Sequence, residues 1–157
     1  MPIFSDTMIK YMTSNDYFLD QIFRAITLFG NPVFYVPMIM ILWVYKVPFA
    51  LPLLLALLFI ELVCIFIKLL YRKDRPNPQS RQGLFNKIDA NSFPSVHSAR
   101  IALLSLTMII YYPSISVIIS SLILAVLVGY SRIYLKRHYV IDVLGGFLIG
   151  IIIALWI

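Results

Sequence analysis

From Phe49 to Leu70 only Glu61 and Lys68 carry charge. At about 1.5 Å of rise per residue, a helix over this stretch is long enough to cross a hydrocarbon core roughly 30 Å thick. Further apolar runs follow the same rule, and the sequence predicts five spans, at about 28–45, 49–70, 97–112, 115–133 and 140–157. A lipid-facing backbone must satisfy its own hydrogen bonds, so such runs fold as helices. The expected fold class is therefore all-α, an integral membrane helical bundle forming one domain over residues 1–157. With 61% hydrophobic and 13% charged residues, an ordinary soluble fold is excluded.

Several local signals refine this bundle. Gly30-Asn31-Pro32 opens the first span and Pro37 lies inside it, so a kink is expected there. Tyr111-Tyr112-Pro113-Ser114 reads as a tight interfacial turn between the third and fourth spans. Gly146 and Gly150 would let another helix approach the last span closely. Within residues 1–27, Phe18, Leu19, Ile22, Phe23 and Ile26 recur at helical spacing behind Ser14 or Asn15 as a cap. That region is too short and polar to span, and is expected to be an amphipathic helix lying on the membrane surface. Asp6, Asp16 and Asp20 argue against a signal peptide. Cys64 is the only cysteine, so no disulfide forms within the chain. The net charge of +6 points to anionic partners, meaning lipid headgroups or phosphates before nucleic acid.

Chemistry concentrates in three stretches: Lys68 with Arg75-Pro76, Pro94-Ser95-Val96-His97, and Ser131-Arg132 with His138 and Asp142. Five spans alternate in direction. The end of the second, the start of the third, the end of the fourth and the start of the fifth then share one membrane boundary. Hydropathy alone did not require all these residues to converge there. Hydrolysis of a phosphomonoester needs cations on the phosphoryl oxygens, an in-line nucleophile and a proton for the leaving oxygen. Lys68, Arg75 and Arg132 can supply the cations, with Arg offering bidentate geometry. His138 and Asp142, four residues apart, would share a helical face if helix begins before His138. A carboxylate there would hold the imidazole's tautomer. His97 could serve as general acid, because an unperturbed imidazole titrates near neutrality. Ser95 adds a hydroxyl, and N–H groups from Val96 onward form an anion site at a helix start.

In order and spacing these residues resemble the type 2 phosphatidic acid phosphatase superfamily, from roughly residue 15 to the C-terminus. The resemblance implies that His138 is a nucleophile forming a phosphohistidine, that Asp142 orients it, and that His97 is the acid–base residue. It implies that Lys68, Arg75, Ser95, Val96 and Arg132 bind the phosphate, with no metal and no cofactor. Two departures stand out. Val96 occupies a position where the family usually has glycine, restricting the turn. Many members also have six spans, whereas here a surface helix takes the place of the first.

The resemblance leaves the substrate open. A compact site without a large lid fits a polyprenyl (undecaprenyl-type) diphosphate best, with phosphatidic acid or phosphatidylglycerophosphate close behind. A protein that binds or transfers lipids without catalysis is the reading of another class, and Val96 is its one support. Arg100 is expected to snorkel or touch a headgroup. Glu61, deep in the second span, is expected to hydrogen-bond a serine or tyrosine of a neighbouring helix. Nine basic residues besides Lys68, Arg75 and Arg132 fall on the motif side against Lys46 on the other. The positive-inside rule reads this as a cytoplasmic site, while the resemblance implies an extracytoplasmic one.

Overall fold

A computed structural model describes residues 14–77 and 81–157. In chain order come α1 (Ser14–Ile26), a 3₁₀ turn (Thr27–Gly30), α2 (Pro32–Val44), α3 (Ala50–Leu70), the short α4 (Leu84–Asp89), α5 (Val96–Tyr111), α6 (Ile115–Tyr134) and α7 (Val140–Ala154). Six of these helices have 13 or more residues. Lys10 and the first part of the amphipathic region lie outside the described residues.

Polar caps set the helix boundaries. Asn31 caps α2 by accepting from the Val33 N–H at 3.0 Å, and Pro32 follows at the first helical position. Ser114 starts α6 by accepting from the Val117 N–H at 3.3 Å. Ser95 starts α5, accepting more loosely from the Ser98 N–H at 3.4 Å. The break falls before α2 and not at Pro37. The segment Tyr17–Gly30 meets Pro32–Val44 at 49°, while helix continues through Pro37. The cap at Asn31 explains this difference, because it ends one helical segment and begins the next.

The centre of the bundle is α5, whose residues Ser98 to Ser105 are all buried. Helix α7 lies directly against it. A Cβ on Gly146 would come within 2.3 Å of the Ser95 carbonyl oxygen, and one on Gly150 within 2.2 Å of that of Ala99. The two glycines therefore serve contact with α5. Leu53, Leu57, Ile60, Ile101, Leu103 and Val128 fill the core between α3, α5 and α6. Outward faces of the peripheral helices remain apolar, as Leu55, Leu58 and Leu62 on α3 and Ile119, Leu122 and Val126 on α6 demonstrate. An apolar exterior around a polar-capped centre is the arrangement that lipid requires.

By length and apolarity α3 and α6 each qualify as a membrane span, and the bent α1–α2 pair makes up to three. With 16 and 15 residues, α5 and α7 are shorter than the bilayer core is thick. For α5 this carries little penalty, since neighbouring helices rather than lipid surround it. The N-terminal amphipathic helix is present as α1, with Tyr17, Phe18 and Leu19 exposed. It does not rest on lipid alone: Phe23 packs on the rings of Tyr134 and Tyr130 in α6, with centroids 4.3 and 5.4 Å away.

The glycine contacts carry a clear expectation. Gly150→Val forces a branched side chain into the α5 backbone and should cost about 1–3 kcal/mol or more. The melting temperature in detergent should drop sharply, whereas Leu148→Ala on the outward face should leave it nearly unchanged.

Candidate active site

The end of α3, the start of α5, the end of α6 and the loop before α7 surround a cavity of about 580 Å³. Lys68, Arg75, Val96, His97, Arg132 and His138 all line it. The convergence expected from alternating spans is thus present in three dimensions. Ser95 and Asp142 do not line the cavity; both are fully buried beneath it.

Each cation is fixed by its own local structure. Lys68 sits in the last turn of α3, where Asn91 Nδ2 donates to its carbonyl at 2.7 Å. Its ammonium lies 3.9 Å from Asp89 Oδ1. Arg75, in the loop beyond, donates through Nη2 to Asp89 Oδ1 at 3.1 Å and to the Asp89 carbonyl oxygen. Burial lowers the Arg75 pKa from its ordinary value, and Asp89 opposes that effect. Arg132, in the last turn of α6, donates through Nη1 to Thr27 Oγ1 at 2.8 Å. Its Nε is buried without a partner among the described residues, a state that an oxyanion in the cavity would relieve.

His97 follows the first residue of α5 and is backed by the break before α2. A Cβ on Gly30 would lie 2.8 Å from His97 Cβ, so glycine is needed for this approach. Ser95 contributes below the cavity: its Oγ accepts from Ser98 Oγ at 2.9 Å, and its N–H donates to the Asp142 carbonyl at 2.9 Å.

His138 differs from the expectation in one respect. Helix α7 begins at Val140, so His138 precedes the helix and shares no helical face with Asp142. A turn through Lys136, at φ 53°, brings His138 round, and its N–H donates to the Arg132 carbonyl at 3.2 Å. His138 Nδ1 lies 3.9 Å from Asp142 Oδ2, beyond hydrogen-bond reach, and 3.5 Å from Ser92 Oγ. Asp142 instead accepts from Lys73 Nζ at 2.6 Å, from the Tyr139 N–H at 2.8 Å and from Ser92 Oγ. No direct hydrogen bond joins Asp142 to His138: Ser92 lies between them, its hydroxyl donated to the carboxylate.

Burial first, then the charges of Arg132, Arg75 and Lys68, push the His138 pKa down to about 2. The imidazole is therefore neutral in the free protein, as a nucleophile must be.

Two charged residues are placed otherwise than the sequence predicts. Arg100 does not snorkel: it is buried, and its Nε donates to Glu61 Oε1 at 2.6 Å while Nη1 donates to the Gly30 carbonyl at 2.7 Å. Glu61 therefore pairs with an arginine and not with a serine or tyrosine. Both border the main cavity and also an apolar groove of about 420 Å³ between α2 and α3, lined by Tyr35, Ile39, Leu54, Leu57 and Leu58. Lys73, Ser92, Asp89 and Thr27 are the site residues that spacing missed. Ser92 lies just before Pro94-Ser95, and Asp89 is an acid in the same loop, but neither position reveals its partner. With Lys73 and Arg100 held inside the protein by carboxylates, two of the nine basic residues counted for orientation are explained without reference to the membrane side.

Linkage gives a test of the neutral imidazole. A folded pKa below the unfolded value of about 6.5 contributes stability above that pH and loses it as pH falls. Melting temperature should fall between about pH 7.5 and 5, and His138→Asn should flatten that slope.

Comparison with known proteins adds to this geometry. Residues 49–157 match the PAP2 superfamily. Phosphatidylglycerophosphatase B of Bacillus subtilis (strain 168) is 41% identical over 71 residues, covering 40% of this chain and 35% of that protein. The crystal structure of a transmembrane PAP2-type phosphatidylglycerolphosphate phosphatase from Bacillus subtilis superposes with a TM-score of 0.72. It is 28% identical, with 94% of this chain and 77% of that one covered. Aquifex aeolicus LpxE, 23% identical with a TM-score of 0.74, covers 94% of this chain and 87% of its own, and shares the fold.

Proposed function

This chain belongs to the PAP2 superfamily, and on that premise we propose that it is a membrane lipid phosphatase working through a phosphohistidine. The observation that carries the proposal is the meeting of two imidazoles with Lys68, Arg75 and Arg132 on one cavity that borders an apolar groove. Water-soluble phosphate esters have no use for such a groove, whereas a lipid tail does.

In the proposed reaction Arg75, Arg132 and Lys68 hold the phosphoryl oxygens, with help from N–H groups at the start of α5. His138 Nδ1 faces Ser92 and Asp142, leaving Nε2 as the attacking atom. A P–N bond forms as the P–O bond to the lipid breaks; His97, carrying a proton once the phosphate dianion offsets the surrounding cations, gives it to the leaving alkoxide. His97 then takes a proton from water, whose oxygen attacks phosphorus and breaks the P–N bond. Inorganic phosphate and the neutral His138 result. Asp142, held by Lys73, Ser92 and the Tyr139 N–H, stabilises the phosphorylated ring.

For the substrate, the similarity to phosphatidylglycerophosphate phosphatases supports a glycerophospholipid with a terminal phosphate, phosphatidylglycerophosphate or phosphatidic acid. That reverses the order drawn from the sequence, and a polyprenyl diphosphate becomes the second reading.

Phosphate release by detergent-purified protein, with chelator present, should be measured on phosphatidylglycerophosphate, phosphatidic acid and a polyprenyl diphosphate. We expect His138→Ala to lose about a thousandfold or more, and His97→Ala about 10²–10⁴-fold. Folded protein that binds these lipids but releases no phosphate would instead establish a lipid-binding role.

A further inference from the structure

Any lipid with its phosphate beside His138 and its tail in the α2–α3 groove must pass its connecting atoms through the boundary between the two. Pro32, Glu61 and Arg100 line both spaces, and Arg100 is the one cation among them. We infer that Arg100 is the subsite for a second, non-scissile phosphate on the tail side of the one that is hydrolysed. This rests on the proposed lipid phosphatase reading and narrows its substrate class. Phosphatidylglycerophosphate and a polyprenyl diphosphate carry such a phosphate, and phosphatidic acid does not.

The chemistry of the residue fits. A guanidinium has five N–H donors in a fork that matches phosphate. Arg100 commits Nε to Glu61 and Nη1 to Gly30, leaving the rest of the fork for a ligand. A buried arginine inside a membrane bundle is costly unless paired, and mid-span ionisable groups mark substrate paths. Pairing with Glu61 meets that cost in the free protein. Glu61 is about a third exposed, at 36% of its side chain, while the side chain of Arg100 is 8% exposed. The carboxylate is thus the partner with freedom to withdraw when an anionic oxygen competes for the guanidinium. In this arrangement Glu61 acts as a filter: it offsets the Arg100 charge and limits how strongly a second phosphate is held. Arg100 also anchors the Gly30 carbonyl, and Gly30 backs His97, so occupancy of the subsite lies one contact from the proposed acid–base residue.

Two opposite substitutions test the assignment. Arg100→Gln and Glu61→Gln would be made in the full chain and again in a His138→Ala background, where intact lipid binds without turnover. Affinity and kcat/KM would be compared for phosphatidylglycerophosphate, a polyprenyl diphosphate and phosphatidic acid. Arg100→Gln should weaken both two-phosphate lipids by about tenfold relative to phosphatidic acid, mainly through KM. Glu61→Gln should shift the same ratio the other way. Equal losses on all three lipids in folded protein would make Arg100 a structural brace and overturn the subsite, as would no change in the ratio. If Arg100→Gln does not fold, Glu61→Gln decides: a ratio that fails to rise overturns the assignment. A response confined to one of the two-phosphate lipids identifies which linkage the subsite takes. Should wild type release no phosphate, the phosphatase reading fails, while the binding ratios in the His138→Ala background still decide the subsite.

Discussion

Burying a carboxylate is costly unless its lone pairs are occupied by donors. Asp142 is fully buried, and its two oxygens receive the Lys73 ammonium, the Ser92 hydroxyl and the Tyr139 N–H, while its carbonyl receives the Ser95 N–H. These donors come from the loop after α3, the segment before α5 and the start of α7. One side chain and its own backbone therefore fasten together the three segments that the proposed reaction assigns to the phosphate. Ser92 N–H donates to the Lys73 carbonyl at 2.7 Å, which closes the same circuit through the backbone. Removing the carboxylate would therefore take a shared anchor from the loop bearing Arg75 and from the segment that leads into α5 and His97.

Around this anchor the cavity holds an excess of positive charge. Lys68, Arg75, Arg100, Arg132 and Arg137 line it, with Asp89 and Glu61 as the carboxylates among the lining residues. Asp89 is shared between Lys68 and Arg75, so it organises the two cations more than it neutralises them. Such a field does two things at once. In the proposed reaction it draws a phosphate dianion, and it disfavours protonation of His138, because an imidazolium there would be buried among like charges. Phosphate binding cancels part of the field and makes a cationic ring tolerable at the stage when, in the proposed reaction, the ring acquires a phosphoryl group.

The sequence made the bundle and the line-up of the site legible through two regularities. Apolar run lengths placed the helices to within a few residues, and the alternating order of those runs brought Lys68, Arg75, His97, Arg132 and His138 to one cavity, although only two to three of the five runs are long enough as helices to span. What stayed hidden depends on contacts between distant segments. Glu61 and Arg100 are 39 residues apart and meet only because α3 packs on α5. Lys73 and Asp142 are 69 residues apart, and nothing in either stretch names the other. Helical spacing was also misleading at His138, because capping by Asp142 starts α7 after the histidine. Local polar chemistry overrode the four-residue periodicity there.

The bend before α2 ties this site to the membrane. Ending one helical segment at Gly30 and starting the next at Pro32 brings Thr27 to Arg132, gives the Gly30 carbonyl to Arg100 and lets the backbone lie against His97. A straight helix would keep the Gly30 carbonyl within its own ladder and away from Arg100. The break thus exchanges intrahelical bonding for support of the site, a loss that lipid would punish but a protein-lined cavity tolerates. Since α2 also forms one wall of the apolar groove, the same bend sets where hydrocarbon ends and polar cavity begins. On the proposed reading, that shared wall makes the headgroup–tail boundary, with Glu61 and Arg100 on it, the place to discriminate between lipids whose terminal phosphates are alike.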